Sequence, residues 1–286
     1  MSLKLKSTGR GKHFSVARGV METVQELVYA GGWPGFVYDR VTSGAPVRQV
    51  RHDLGLGRAG RAPLKLGFVS DLHIGPLTST RLLENAFAAL AAFRPDVLIL
   101  GGDYVSLEIT TAKADRLRGL VASVPSPTKL AVLGNHDLWT DHTVVERALE
   151  AGGARVLINE SVRLPGAHDD VVVVGLDEPW SGAPDPERAF SGVNGEAVRI
   201  AVAHAPEGIP FVQNRGASLL LCGHTHGGQV ALPGGPVVVH GPLGRKYPTG
   251  LYDVDGLRVY VSRGVGNVDL PLRLNAPAEV ALFTIS

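Results

Sequence analysis

Leu219 to Gly228 reads LLLCGHTHGG, an apolar run that stops at a glycine and then presents two histidines. A short apolar run bounded by a turn signal fits a fully buried strand, and in an extended chain side chains two apart share a face. His224 and His226 are therefore expected on one side of the chain. Neutral imidazole is the commonest protein metal ligand, so such a pair at a strand end suggests a metal site that draws further ligands from elsewhere. A lone His-x-His in a loop also occurs simply hydrated or hydrogen-bonded, so the rest of the chain decides.

Working outward from this stretch, the same pattern of apolar strand, turn and polar cluster recurs. Leu64 to Ser70 (LKLGFVS) runs into Asp71-Leu72-His73, and Val97 to Leu100 (VLIL) into Gly101-Gly102-Asp103. Lys129 to Leu133 leads to Gly134-Asn135-His136-Asp137, and Arg199 to Ala203 to His204. Each cluster alone reads equally well as a turn or a helix cap. Five in order are harder to assign to turns, because ligands of open α/β sheets gather outside the carboxyl ends of the strands.

Between these strands, Leu82, Leu83, Ala86, Phe87, Leu90 and Phe93 form one helical stripe behind the Thr78–Thr80 caps, and Arg94-Pro95 ends it. Lys113 to Val121 predicts a second helix. Thr143 with Glu146 offers a capping box for a third that stops near Gly152. Val171 to Leu176 is a further strand, followed by an irregular loop from Asp177 to Pro186, and Pro206 to Asn214 reads as a short helix. After Pro233 come short alternating segments at Val237–Val239, Gly250–Val254, Leu257–Val261 and Val280–Ile285, which read as antiparallel strands. The fold class expected is mixed α/β, not a purely parallel doubly wound sheet.

A chain of 286 residues can bury a large core, and one catalytic domain from residue 64 to 286 is expected behind an N-terminal segment, 1–63. Charge is uneven. Residues 1–65 hold eleven Lys/Arg against four Asp/Glu, a balance of +7 in a chain whose net charge is +1. Such a basic arm can touch lipid or nucleic acid, although a solvated basic face is the commoner explanation. Residues 1 to about 18 are expected to be loosely ordered. Val20 to Val41 has apolar residues at roughly helical spacing, interrupted by Gly31, Gly32, Pro34 and Gly35. It is expected to pack on the core, with contact at a membrane surface as the alternative. Val47 to Leu56 reads as an exposed edge strand. Cys222 is the single cysteine, which excludes an intrachain disulfide and a thiolate-only metal site. With no apolar run of membrane-spanning length and no secretory leader pattern, a cytoplasmic, at most membrane-peripheral, location is expected.

Asp71-x-His73, Gly102-Asp103, Gly134-Asn135-His136-Asp137, His204 and Gly223-His224-Thr225-His226 together resemble the ordered motif set of the calcineurin-like metallophosphoesterases, from about Leu64 onward. Gly227-Gly228-Gln229, Gly244-Arg245-Lys246-Tyr247, Gly250-Leu251-Tyr252 and Tyr260-Val261-Ser262-Arg263-Gly264 are similar to a bacterial branch holding YkuE-type phosphodiesterases and UDP-2,3-diacylglucosamine pyrophosphatase-like enzymes.

The resemblance implies a β-sandwich of mixed sheets flanked by helices, an αββα arrangement, with a dinuclear centre. Asp71, His73 and His226 would bind the first metal, Asn135, His204 and His224 the second, and Asp103 would bridge them. The implied reaction is hydrolysis of a phosphodiester by in-line attack of a metal-bridging hydroxide, with His136 as the catalytic histidine and Asp137 orienting its ring. Oxygen and nitrogen ligands without thiolate suit manganese, iron or zinc. Arg245, Lys246 and Arg263 are candidate contacts to the substrate phosphate. The implied substrate is a small-molecule or lipid-linked phosphodiester or pyrophosphate. A pyrophosphatase or phosphomonoesterase on the same metals, a nuclease using the basic arm, and a metal-poor scaffold are the competing readings.

Overall fold

The computed structural model describes residues 3–193, 195 and 197–286. In chain order the helices and strands are α1 (Val16–Val28), α2 (Trp33–Val41), β1 (Arg48–Leu54), β2 (Leu64–Val69), α3 (Thr80–Phe93), β3 (Val97–Leu100), α4 (Thr111–Ser123), β4 (Thr128–Ala131), α5 (Asn135–Trp139), α6 (His142–Ala151), β5 (Arg155–Val156), β6 (Glu160–Arg163), β7 (Val171–Gly175), α7 (Pro186–Ala189), β8 (Val198–Val202), α8 (Ile209–Val212), β9 (Leu219–Cys222), β10 (Ala231–Leu232), β11 (Gly235–Pro236), α9 (Pro242–Lys246), β12 (Gly250–Val254), β13 (Leu257–Val261) and β14 (Glu279–Ile285).

Among the described residues the longer strands form two six-stranded sheets, one ordered β1-β14-β2-β3-β4-β5 and the other β12-β13-β9-β8-β7-β6. Period-two alternation decides what each face touches. Val97 and Ile99 of β3 point between the sheets, toward Val171, Val173, Ile200, Leu219 and Leu221. Leu98 and Leu100 point the other way, onto Leu82, Leu83, Ala86, Phe87 and Leu90 of α3. On the far side, Val172, Val174, Leu220 and Cys222 pack under Ile209 and Val212 of α8. The order is therefore helix, sheet, sheet, helix, the mixed αββα sandwich expected from the sequence. Its second helical layer is thin, because the helices there are single turns. Both faces of β3, β7 and β9 are buried, which explains why these strands read as unbroken apolar runs.

Several local expectations are corrected. α6 is capped by Asp141, whose side chain accepts from the Thr143 amide, so the Thr143–Glu146 box does not form. Val237–Val239 lies outside any strand, and the short pair there is Ala231–Leu232 with Gly235–Pro236. β13 is antiparallel to β12 but parallel to β9, and β14 is antiparallel to β2 but parallel to β1, so the C-terminal strands complete both sheets and the expected antiparallel pairing holds on one side of each.

The N-terminal arm differs most from expectation. Its first residues are held, not loose: the Thr8 and Gly11 amides donate to the Trp139 and Leu138 carbonyls, and Trp139 Nε1 donates to the Lys12 carbonyl. Arg10 forms a two-pronged pair with Asp177 at 2.7 Å on each side. Arg58, buried, does the same with Asp170, so Asp170 is not the solvated turn residue it resembles in sequence. Much of the arm's charge is thus spent on internal pairs. The α1–α2 segment was expected to turn its apolar side to the core. Instead Glu22 and Gln25 are buried, while Val20, Val24, Leu27, Trp33 and Phe36 face outward.

Candidate metal centre

Seven candidate ligands meet at the carboxyl ends of β2, β3, β8 and β9 and at the start of α5. The loops that carry them are backbone-strained in one consistent way. Asp71, His73, Asp103, His224 and His226 all have positive φ, between 41° and 71°. Such left-handed geometry costs a non-glycine residue free energy and concentrates at functional sites. The i, i+2 strand geometry is not what places these two histidines: β9 ends at Cys222, and left-handed backbone at His224 and His226 sets both rings on the wall of one cavity, in different triads. Gly102 shows how tightly the loops converge. Its φ is +93°, and a Cβ there would come within 2.8 Å of His204 Nδ1.

Three overlapping triads result, each with ligand atoms within 4.8 Å of one another: Asp71, His73 and His226; His73, Asp103 and His136; Asp103, His204 and His224. His73 Nε2 lies 3.0 Å from His226 Nε2, and His226 Nε2 lies 3.4 Å from Asp71 Oδ1. Metal–nitrogen bonds of roughly 2.0–2.1 Å opened by about a right angle give such a separation. His204 Nδ1 donates to the Gly101 carbonyl at 2.8 Å, which turns Nε2 toward Asp103 Oδ2, 3.2 Å away. Asp71 also accepts from the His224 amide at 3.0 Å, so one carboxylate both faces the centre and holds the histidine loop.

The residues fit a metal pair on two further counts. Asn135 Oδ1, His204 Nε2 and His224 Nδ1 are buried without a hydrogen-bond partner, a state that costs about 1–3 kcal/mol per group unless something satisfies it. The titration of the site points the same way. Burial pushes Asp71 up to about 6 and drives His73 down to about 4 and His224 down to about 3, so the imidazoles stay neutral and available as donors. Burial opposes charge on His204 as well, but the Asp103 carboxylate outweighs it and raises that histidine to about 10. A cation bound at Nε2 would take the place of that proton.

Asp137 does not orient the His136 ring. Its carboxylate accepts from the backbone amides of Asp103 (2.8 Å), Tyr104 (2.8 Å) and Gly134 (2.9 Å), tying the loop after β3 to the loop after β4. Burial, then the nearby Asp103 carboxylate, raises it to about 7. Asp137→Ala leaves three buried donors unpaired, each worth about 1–3 kcal/mol, and is expected to lower the urea midpoint and displace Asp103. An unchanged midpoint would refute this bracing role. His136 instead places its ring edge-on to His73, centroids 4.8 Å apart, while its amide donates to Asp103 Oδ1 at 2.8 Å.

A cavity of about 190 Å³ opens on these residues, and its wall includes side chains that sequence reasoning missed: His13, Arg18, Trp139, Trp180 and His240. Trp180 follows β7 in the same strand-then-loop pattern as the ligands, so a signal for it existed. Arg18 lies more than fifty residues before Asp71, and its place depends on pairs with Glu22 (3.1 Å) and Asp269 (2.8 Å). Conversely, the structure does not bring Arg245, Lys246 or Arg263 to this cavity. Arg245 and Lys246 are exposed on α9, and Arg263 pairs with the buried Glu279. A larger cavity between α3 and α4, about 650 Å³, shares no residue with the centre.

A mixed α/β sandwich with a histidine–carboxylate cluster at its strand ends defines a metal-dependent hydrolase in outline, and comparison with known proteins specifies it. The family described as calcineurin-like phosphoesterase matches residues 64–228. Phosphodiesterase YaeI of Escherichia coli K12 is 30% identical over 88% of this chain and 93% of its own length. The uncharacterized metallophosphoesterase YkuE of Bacillus subtilis 168 is 29% identical over 90% of this chain and 91% of its own. A transmembrane protein with metallophosphoesterase domain from Danio rerio is 27% identical over 97% of this chain and 66% of its own. The chain belongs to the calcineurin-like phosphoesterase family and is a metal-dependent phosphoester hydrolase.

Proposed function

We propose that the protein is a dinuclear phosphodiesterase in which Asp71, His73 and His226 hold one cation, Asn135, His204 and His224 hold the other, and Asp103 is shared. The observation that carries this reading is the chain of overlapping ligand triads, linked through His73 and Asp103, together with the unpaired buried Asn135 Oδ1, His204 Nε2 and His224 Nδ1. Two divalent cations in such a place supply a water of lowered pKa and neutralise the phosphoryl oxygens. Manganese, iron and zinc all suit the donor set.

The chain's own residues do the rest. Asp71 holds the His224 loop, Asp137 fixes Asp103, and Gly101 sets the His204 tautomer. His136, on the cavity wall, offers a ring N–H to the leaving oxygen. Arg18 presents a guanidinium already oriented by Glu22 and Asp269, suited to a phosphate oxygen. The name of the Escherichia coli relative supports a diester. The engagement of Lys4, Arg10 and Arg58 in internal pairs lowers the charge that the arm offers a phosphate backbone, which weighs against the nuclease reading.

The test is a metal and substrate panel. Protein stripped with chelator and reloaded separately with manganese, iron or zinc is assayed on bis(p-nitrophenyl) phosphate, p-nitrophenyl phosphate and a nucleotide-sugar diphosphate. Diester turnover is expected only with metal. Preference for the monoester or the diphosphate would replace this reading with a phosphomonoesterase or pyrophosphatase. Absence of both metal uptake and hydrolysis would leave a scaffold.

A further inference from the structure

α1 and α2 are folded inside out. From Val16 to Val41 the exposed residues are Val16, Ala17, Val20, Met21, Val24, Leu27, Val28, Ala30, Gly31, Trp33, Phe36, Val37, Arg40 and Val41, so Arg40 is the one charged side chain among them. The polar residues face the protein. Glu22 pairs with Lys4 and Arg18, and Gln25 donates to the Asp269 carbonyl. A continuous apolar face of this size on two consecutive helices marks an interaction surface. Scattered exposed side chains would carry no such meaning.

Three features choose the occupant. The Trp33 indole N–H donates to the Val28 carbonyl at 3.0 Å, so the ring and the end of α1 can leave water without an unsatisfied donor or acceptor. Arg40 lies over the Phe36 ring, 4.6 Å from its centroid, a cation at the edge of an apolar patch that suits an anionic headgroup layer. Finally, a second exposed apolar stretch is tied to α1. Asp269, which Arg18 and Gln25 tie to α1, precedes the exposed Leu270, Leu272 and Leu274. Leu270 lines a groove of about 310 Å³ with Val230, Val237, Val238 and Val268 that ends on His224 and His226.

We propose that the outward face of α1 and α2 docks on an anionic lipid surface. The docking does not rest on the phosphodiesterase reading. The test is co-sedimentation of the full chain with vesicles of equal parts phosphatidylcholine and phosphatidylglycerol, beside turnover of water-soluble bis(p-nitrophenyl) phosphate.

The protein is expected to sediment with the vesicles. Val24→Asp with Leu27→Asp, and separately Phe36→Ser, are expected to weaken binding about tenfold or more through lost apolar burial, with soluble-substrate turnover and circular dichroism unchanged. Equal binding by the variants, or no binding by the parent, overturns the docking. A parent dimer in sedimentation equilibrium that the same substitutions dissociate, without vesicle binding, also overturns it in favour of a second copy of the chain. Vesicle binding with a metal-loaded enzyme inert on all phosphodiesters leaves the docking standing and removes the phosphodiesterase reading.

Discussion

His136→Ala is expected to lower turnover of bis(p-nitrophenyl) phosphate by roughly 10²- to 10³-fold, the range that one preorganised hydrogen-bond donor to developing charge contributes, while leaving the metal content unchanged. The His136 ring lies beside His73 and lines the cavity, and its amide, which alanine retains, holds Asp103 Oδ1. The substitution therefore removes the ring and keeps the bond that positions the shared carboxylate. Burial holds the imidazole well below its ordinary pKa, so it meets the substrate as a neutral N–H donor. Because His136 also falls in a triad with His73 and Asp103, metal analysis of the purified variant decides its role. Loss of a metal would make it a ligand, and unchanged turnover would remove it from the chemistry.

The second large effect concerns the shared carboxylate. Asp103→Ala is expected to abolish binding of both cations and all hydrolysis, because Asp103 joins one triad with His73 and His136 and another with His204 and His224. His226→Ala and His224→Ala are expected to be selective, the first losing mainly the cation held with Asp71 and His73 and the second mainly the one held with His204. Each loss should exceed the roughly 10- to 100-fold that outer-shell partners of a metal contribute to affinity. Elemental analysis after dialysis against limiting metal reads this directly. Equal depletion of both cations in His224→Ala and in His226→Ala would contradict the two-metal assignment.

These expectations rest on residues legible in the sequence, and the reason is local. Each ligand sits within a few residues of a short apolar strand, where a buried run, a turn and a polar residue follow one another along the chain. Asp137 was legible as a site residue but not in its role, since its three donors come from two loops some thirty residues apart in sequence. Arg245, Lys246 and Arg263 show the converse: charge and motif context suggested phosphate contacts, and only packing reveals Arg263 spent on Glu279 and the other two exposed.

By itself the sequence determined the alternation of strands and helices, the mixed class of the sandwich and the histidines and carboxylates of the centre, because burial periodicity and strand-end chemistry are written over short stretches. Only the tertiary structure decided that left-handed backbone, not a strand face, sets His224 and His226 on the cavity wall, and that Arg18 reaches the cavity from the first helix. It also decided that α1 and α2 turn their apolar side outward. Helical periodicity defines an apolar face but not its direction; that depends on what occupies the other side, here Lys4 and Arg18 on Glu22 and the Asp269 loop on Gln25.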